Sequence, residues 1–403
     1  MHSDIPKVLH PVCGKPMMQY VVDVARKLRS LKIYVILGFK NEVVREALGR
    51  DLQVVIQKKL LGTADAIRSA APFFRTYRGD VLILSGDTPL LTQETVRQVV
   101  QKHRSSSAEC TFLTATVLQP QGYGRVIRDG RGKVVAIREE KDSTPREKEI
   151  NEINVGVYCF YSKRLFALLK AIKLNPKKKE FYLTDIIALL VQKKATIETV
   201  ETKDFQEGLG INTRKDLSFA ESVIRKKNLW DFMLQGVTII DPQTTYIDAD
   251  VKIGRDTVIR PLTVIEKNVH IGGHCSIGPF CRLRPGTRIA DGVEIGNFTE
   301  VSRTQISKGS LMKHFGFLGD ARIGTKVNIG AGTVTANYDG KNKNITVISD
   351  EAFIGSDSIL VAPVKVGKKA ATGAGSVVTS GHNVPDGKVA VGLPARIIAR
   401  RKF

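Results

Sequence analysis

The sequence has few cysteines and no long apolar segment, and both shortages narrow what the protein can be. Its 403 residues include five cysteines that are scattered and form no CxxC pair, which excludes a disulfide scaffold and disfavours a zinc site. No apolar run approaches the length that crosses a bilayer, and the first residues lack the apolar core of a signal peptide. We therefore expect a cytoplasmic protein without membrane insertion.

Acidic residues are also scarce relative to basic ones. The chain has 62 Lys and Arg against 40 Asp and Glu, a formal net charge of +22. Such an excess favours phosphate-bearing ligands, namely nucleotides, coenzymes or nucleic acid, although a solvated basic surface explains it equally well. The basic clusters have no interleaved aromatic residues, which an RNA-binding face would need. We therefore expect no nucleic-acid partner.

One long stretch of the chain has an aliphatic residue at every sixth position. These residues are Ile253, Ile259, Ile265, Ile271, Ile277, Leu283, Ile289, Ile295 and Val301. A period of six is neither a helix period nor a plain strand alternation. It fits short strands joined by turns, three of which close a triangular coil that stacks on the next at about 4.8 Å. The stretch therefore predicts a parallel β-helix with these residues inside.

Two interruptions of this period are candidate functional loops. The phase is lost between residues 307 and 320, where His314 lies, and again in the polar segment 337–344. Loops that leave a rigid solenoid often carry function. Both segments are therefore predicted to leave the coil and to contribute to binding.

The first half of the chain has a different pattern. Residues 32–202 alternate between strand-like and helix-like segments, which predicts an α/β sheet that binds ligands at the carboxyl ends of its strands. Asp87 follows the strand predicted at 80–85, where its carboxylate can hold Mg²⁺ against a triphosphate or simply cap the next turn. The turn at Gly62 and Thr63 opens a predicted helix and can offer N–H groups to an anion.

Short motifs along the chain together carry a family resemblance. In order they are PKVLHPVCGKPM, LGTADA, LSGDTPL, GYGRV, EEKD, EINVG, FYLTDII, INTR, RLRPG, NIGAGT, NYDGKNK and FIGSD. They resemble the bifunctional N-acetylglucosamine-1-phosphate uridyltransferase / glucosamine-1-phosphate N-acetyltransferase family over nearly the whole chain. The resemblance implies a Rossmann-like, mixed-sheet α/β nucleotidyltransferase domain at 1–213, a linker helix at 214–237 and a left-handed parallel β-helix acetyltransferase domain at 238–403. It also implies a homotrimer with small-molecule substrates.

By this resemblance, the first domain transfers a uridylyl group from UTP to N-acetylglucosamine 1-phosphate and releases pyrophosphate. The implied Mg²⁺ ligands are Asp87 and Asn212, and Lys7 is implied to face the phosphates. The residues implied to read uracil are Gln57, Gly62 and Thr63. Those implied to hold the sugar are Gly124, Glu139 and Asn154.

The second domain, by the same resemblance, transfers acetyl from acetyl-CoA to glucosamine 1-phosphate. His314 is implied as the general base, with Glu300 orienting it. The amino-sugar phosphate is implied to contact Arg284, Asn328, Asn337, Tyr338 and Lys343. Acetyl-CoA is implied to contact Asn337, Tyr338, Ser356 and Ala374, in a groove between neighbouring solenoids.

Two departures from the family pattern modify these expectations. The family's N-terminal strand and Gly-rich triphosphate loop are absent from this sequence, so we expect a start upstream of Met1 or, failing that, a severely reduced uridyltransferase activity. A missing central strand would leave its neighbours with unpaired backbone groups. In the acetyl site, Ser302 stands where the family usually has Lys and Phe317 where it usually has Tyr. The acetyl acceptor could therefore differ from glucosamine 1-phosphate.

Two other interpretations stay open on the sequence alone. One is a nucleotidyltransferase for another sugar, with a solenoid that only assembles or regulates the enzyme. The other is a non-enzymatic trimer with a structural role. Acetyl-CoA turnover distinguishes the first from the bifunctional enzyme, and binding of UTP or sugar phosphates distinguishes the second.

Overall fold

The computed structural model describes residues 1–30, 32–38, 40–49, 52–176 and 179–398. Its contacts divide the chain into two compact units. The first comprises Met1–Val12 and Pro16–Ala220, and the second comprises Cys13–Lys15 and the chain from Glu221 onward. No helix in the described part of the chain is both long and apolar enough to cross a membrane.

The helices of the first unit are mostly amphipathic. They are α1 (Met17–Lys27), α2 (Asn41–Leu48), α3 (Thr63–Ala70), α4 (Gln93–Ser105), α5 (Pro145–Lys148), α6 (Ser162–Leu169) and α7 (Asp185–Gln192), and α8 (Arg214–Leu234) leads into the second unit. Helix α4 begins where the Thr92 side chain accepts a hydrogen bond from Thr95 N–H, a standard N-cap. Single 3₁₀ turns lie at Lys7–Leu9, Ala71–Phe74, Glu140–Asp142 and Phe205–Gly208.

The strands of the first unit form a mixed sheet, as predicted. They are β1 (Pro11–Val12), β2 (Lys15–Pro16), β3 (Tyr34–Leu37), β4 (Gln53–Ile56), β5 (Asp80–Ile83), β6 (Cys110–Thr116), β7 (Arg125–Arg128), β8 (Val134–Arg138), β9 (Glu152–Tyr161) and β10 (Ile197–Glu201). The main sheet has the order β10-β6-β9-β7-β8, with β5 antiparallel to β9. Parallel strands β3 and β4 form a separate pair. Helices α4 and α6 pack on β6 and β9 through fully buried residues such as Phe112, Val99 and Leu165, and α7 packs on β8 and β10.

A wide cavity separates β3 from β5. It has a volume of about 1790 Å³ and is lined by both strands and by helices α1 and α3. Within the described residues, β3 pairs only with β4 and β5 only with β9. Each of these two strands therefore has one edge without a backbone partner among the described residues.

The second unit is a parallel β-helix with three faces. The first face contains Thr238–Ile239, Val258–Ile259, Ser276–Ile277, Glu294–Ile295, Leu311–Met312, Asn328–Ile329, Phe353–Ile354, Ala371–Thr372, Val389–Val391 and the antiparallel Arg396–Ile398. The second contains Tyr246–Ile247, Val264–Ile265, Cys281–Leu283, Thr299–Ser302, Gly316–Gly319, Thr333–Ala336, Ile359–Val361 and Val377–Val378. The third contains Lys252–Ile253, His270–Ile271, Arg288–Ile289, Gln305–Ile306, Ala321–Ile323, Thr346–Ile348 and Val364–Val366. The predicted ladder residues form the interior, and all except the partly buried Ile253 are at most 4% exposed.

The predicted interruption at 307–320 is wrong, because the coil continues through it. Ile306, Met312 and Leu318 are buried in the same core and keep the six-residue step. The phase shifts because two corners are one residue shorter: Ile306 follows Ile289 by 17 residues, and Ile323 follows Ile306 by 17. The second predicted loop is observed, since residues 337–344 leave the coil and close on an isolated bridge between Tyr338 and Lys343.

Candidate active sites

The first candidate site lies where the chain leaves β5. Lys7 Nζ is 2.5 Å from Asp87 Oδ2 and 2.9 Å from Asn212 Oδ1. The backbone joins the same loops, since Ile211 N–H donates to Asp87 C=O at 2.9 Å. Two side-chain oxygens from distant segments of the chain therefore accept hydrogen bonds from the Lys7 ammonium.

Asp216 positions Asn212 at the start of α8. Its Oδ2 accepts from the backbone N–H groups of Asn212 and Thr213 at 3.0 and 2.8 Å. Burial alone would raise the pKa of Asp216, but these hydrogen bonds outweigh it and the pKa lies below its usual value. This role of Asp216 was not predicted, although an Asp three residues after Thr213 is a helix-start signal.

The turn at Gly62 and Thr63 is fixed by backbone contacts. Gly62 has φ +95°, and a Cβ there would lie 2.6 Å from Phe181 O, so only glycine fits. Thr63 Oγ1 accepts from Leu183 N–H at 3.0 Å. Gln57 Nε2 donates to Asp65 Oδ2 at 2.9 Å and to Gly62 O at 3.2 Å, so these contacts tie the predicted uracil-reading residues together.

The predicted sugar-binding residues lie around the half-buried carboxylate of Glu139. Burial raises the pKa of Glu139, and the hydrogen bond from Thr184 Oγ1 at 2.8 Å only partly offsets this. Asn154 N–H donates to Gly124 C=O at 2.8 Å, and Asn154 Oδ1 accepts from Gly156 N–H at 3.2 Å. Thr184 was not predicted, although it belongs to the FYLTDII motif.

The large cavity brings several of these groups together. Its wall includes Lys7, Thr63, Asp87, Glu139 and Asn154. Gln57, Gly62, Gly124 and Asn212 are not among the residues that line the cavity. The cavity therefore brings the Lys7 and Asp87 pair and the predicted sugar-binding residues Glu139 and Asn154 to one wall.

The second candidate site lies on the second face of the β-helix. Arg284 Nη1 donates to Glu300 Oε1 at 2.8 Å, and Glu300 lies in register with Phe317 on the next strand. The Glu300 carboxylate is therefore engaged by Arg284. Within the described residues it makes no hydrogen bond to His314, whose side chain is exposed at the corner between the first and second faces.

That corner stacks three predicted residues in one column. Asp357 N–H donates to Ala331 O at 2.6 Å, and Gly375 N–H donates to Ser356 O at 2.8 Å. One coil earlier, Gly332 N–H donates to Phe315 O in the same way. Because these bonds join equivalent positions of successive coils, His314, Ser356 and Ala374 lie along the same edge. Asn328 lies beside it on the first face, in register with Leu311 and Phe353.

The opposite edge of the second face carries a tight ionic network. Arg303 donates to both carboxylate oxygens of Asp320 at 2.6 and 2.8 Å, and Asn337 Nδ2 also donates to Asp320. The Arg303 guanidinium beside Asp320 holds the pKa of that carboxyl below its usual value. Ser302 is neutral, and its hydroxyl accepts from Arg303 Nη1 at 2.8 Å, so this chain supplies no cation from position 302.

The polar loop extends from this edge. Tyr338 is 62% exposed and its hydroxyl donates to Gly340 O at 2.7 Å. Lys343 lies opposite Tyr338 in the bridge. Both side chains therefore belong to a projecting loop rather than to a closed pocket.

Comparison with known proteins defines the class. Residues 2–230 match the family model of nucleotidyl transferases, and residues 268–303 match that of bacterial transferase hexapeptide, six repeats. The chain thus combines a nucleotidyl transferase with a hexapeptide-repeat transferase.

Relatives over the full length are more specific. The bifunctional protein GlmU of Geobacillus sp. (strain WCH70) and that of Bacillus subtilis (strain 168) are each 42% identical, over 97% of this chain and 92% of their own. That of Carboxydothermus hydrogenoformans is 41% identical over 97% and 94%. The chain belongs to the GlmU family of bifunctional proteins. It is therefore an enzyme of UDP-N-acetylglucosamine synthesis with acetyltransferase and uridyltransferase activities, and UTP and acetyl-CoA are its co-substrates.

Proposed function

We propose that the cavity of the first unit is the uridyltransferase site, with the triphosphate at Lys7 and the sugar at Glu139. The observation that carries this assignment is the convergence of Asp87 Oδ2 and Asn212 Oδ1 on the Lys7 ammonium. In the reaction, a phosphate oxygen of N-acetylglucosamine 1-phosphate attacks the α-phosphorus of UTP in line, and pyrophosphate leaves. Because positioning and charge neutralisation supply most of the catalysis, the roles of these residues are to bind and orient.

We propose Asp87 and Asn212 as the protein ligands of Mg²⁺. Their oxygens already face one cation, and a carboxylate and an amide oxygen are ligands that Mg²⁺ accepts, with waters and phosphates completing the shell. When bound, the ion neutralises charge on the triphosphate. Lys7 then turns to the phosphates as a compact point charge.

The sugar end needs acceptors for hydroxyl groups and partners for the acetamido group. Glu139 accepts from Thr184 through one oxygen and leaves the other for a sugar hydroxyl. The Asn154 side chain, already oriented by Gly156 N–H, offers its amide donors to the sugar. Gln57, Gly62 and Thr63 are proposed to read uracil, with Gly124 permitting close approach of the sugar.

We propose the second face and its corner as the acetyltransferase site. His314 takes the proton of the attacking amine as general base, while Arg284 pairs with the sugar phosphate. Ser356 and Ala374, stacked below His314, are proposed to carry the coenzyme together with Asn337 and Tyr338. Lys343 and Asn328 complete the amino-sugar contacts.

We propose that this second site is completed by neighbouring copies in a homotrimer. His314 and Tyr338 are both exposed on the single chain, so a groove that excludes water needs another surface. We further propose the boundaries 1–213, 214–237 and 238–403 for the two catalytic domains and their linker helix, and the cytoplasm as the location.

Separate assays of the two half-reactions test these assignments. His314→Ala should abolish acetyl transfer from acetyl-CoA and leave Mg²⁺-dependent UTP binding unchanged by calorimetry. Asp87→Asn should weaken UTP binding in Mg²⁺ and leave acetyl transfer unchanged. If either variant affected both readouts equally, the assignment of its residue to one site would be wrong.

A further inference from the structure

The third face of the β-helix carries cations in register. Its outward side chains, strand by strand, are Lys252, His270, Arg288, Gln305, Arg322, Val347 and Lys365. Lys252, Arg288, Arg322 and Lys365 therefore recur on every second strand, and all four are exposed. We call these four residues the cation row. With strands about 4.8 Å apart, its members are about 9.6 Å apart and the row is about 29 Å long.

The charge of the cation row is not neutralised by its surroundings. Across residues 235–398, all of which the structure describes, none of the four forms an ion pair, and the column contains no acidic residue. At the corner that leads to the first face, Asp291, Asp350 and Asp386 each accept from a backbone N–H of the neighbouring coil. Asp256 and Glu351 lie at the same corner, where Asp256 is near Arg255 and His274 and Glu351 is near Lys369. The row therefore presents a continuous positive strip to solvent.

The other two faces show no comparable strip. On the first face, the column of outward side chains contains one charged residue among the described residues, Glu294. Its carboxylate lies 3.0 Å from Lys313. In the equivalent column of the second face, Arg282 is paired with Glu266 and Glu300 with Arg284. Within the described β-helix, the third face is thus the one face on which unpaired cations lie in register.

We propose that the cation row binds a linear chain of phosphates, as in inorganic polyphosphate, through charge alone. The row is one residue wide, which suits a linear polyanion, and flexible Lys and Arg arms bind phosphate oxygens without a fixed spacing. This surface and its ligand are separate from both proposed catalytic sites.

Other polyanionic or protein partners fit this face less well. The column contains no Phe, Tyr or Trp, and the His270 imidazole is its one ring, whereas single-strand nucleic-acid sites stack successive bases on several aromatic side chains. Val347 is its one purely apolar member, too little for insertion into a membrane interface or for the apolar centre of a protein interface. The four exposed cations of the row therefore favour contacts with phosphate oxygens over base stacking or apolar contacts.

The test is a fourfold neutralisation with a matched control. The variant Lys252→Gln, Arg288→Gln, Arg322→Gln, Lys365→Gln removes the row. The control Lys163→Gln, Lys170→Gln, Lys173→Gln, Lys193→Gln removes the same charge from exposed positions of the first unit. Binding of end-labelled long-chain polyphosphate is followed by fluorescence anisotropy between 50 and 200 mM salt, with the acetyl-transfer rate as the measure of folding.

Counterion release sets the expected size of the effect. Each phosphate contact contributes about −0.7 to the slope of log affinity against log salt, so four contacts give a slope of about −2.8. Over this fourfold change in salt, that slope corresponds to about a fiftyfold loss of affinity. The row variant should lose this dependence and most of the affinity, whereas the control should keep both, and both should transfer acetyl normally. Equal losses in the control would overturn the proposal, as would tighter binding of random single-stranded DNA or of anionic vesicles than of polyphosphate.

Discussion

Lys7 and Asp87, 80 residues apart in the chain, form an ion pair in which the ammonium nitrogen lies 2.5 Å from a carboxylate oxygen. Asn212 completes the arrangement at 2.9 Å. If Asp87 and Asn212 hold Mg²⁺ as proposed, the ammonium and the ion compete for the same two oxygens before a nucleotide arrives. This competition makes the pair testable without turnover.

Replacing Lys7 by Met should tighten binding of Mn²⁺ to the nucleotide-free protein and weaken binding of UTP. A half-exposed ion pair contributes on the order of 1 kcal/mol, so we expect about a fivefold gain in Mn²⁺ affinity, measured by electron paramagnetic resonance. Asp87→Asn is the control and should lose Mn²⁺ binding. Unchanged Mn²⁺ affinity in Lys7→Met would show that the ammonium does not compete for the site.

Placing Lys at position 302 should improve the acetyl acceptor site. Ser302 offers no cation, and the guanidinium of its neighbour Arg303 is held by Asp320. A charge-assisted contact contributes about 1.5–3 kcal/mol, so Ser302→Lys should lower KM for glucosamine 1-phosphate about tenfold or more with little change in kcat. Ser302→Met, of similar length without charge, should not. Equal KM values in both variants would contradict a phosphate contact at this position.

Truncating Leu318 tests the continuity of the coil. Leu318 is fully buried in the segment that the sequence pattern assigned to a loop, whereas Phe315 is 53% exposed three residues earlier. Leu318→Ala should destabilise the β-helix by about 2–5 kcal/mol, and Phe315→Ala should be close to neutral, by urea unfolding followed with circular dichroism. A neutral Leu318→Ala would restore the loop interpretation.

The Arg303 and Asp320 pair should make stability depend on pH. Because the folded-state pKa of Asp320 is lowered from 3.8 by Arg303, the pair stabilises above that value and the contribution is lost as pH falls through the lower, folded pKa. Asp320→Asn should therefore cost on the order of 1 kcal/mol at pH 7 and progressively less as pH falls below 4. A loss of stability that is the same at pH 7 and pH 3 would exclude an ionic origin.

The sequence by itself determined the period of the β-helix, its interior residues and the alternation of the first unit. These are local properties: inward side chains recur every six residues, and strands and helices follow their own apolar spacing. The family motifs carried the candidate residues, and the family itself is confirmed by relatives that are 42% identical over 97% of this chain.

Only the tertiary structure decided which of those residues meet. Two corners are shortened by one residue, and His314 lies within a continuous coil. The 337–344 loop lengthens the next coil. His314, Ser356 and Ala374 therefore share an edge that equal spacing along the sequence would not predict. The contacts of Lys7 with Asp87 and Asn212 span 80 and 205 residues. Glu300 likewise meets Arg284 one coil away rather than His314. Such pairs depend on accumulated coil lengths and sheet order, which no short segment of sequence contains.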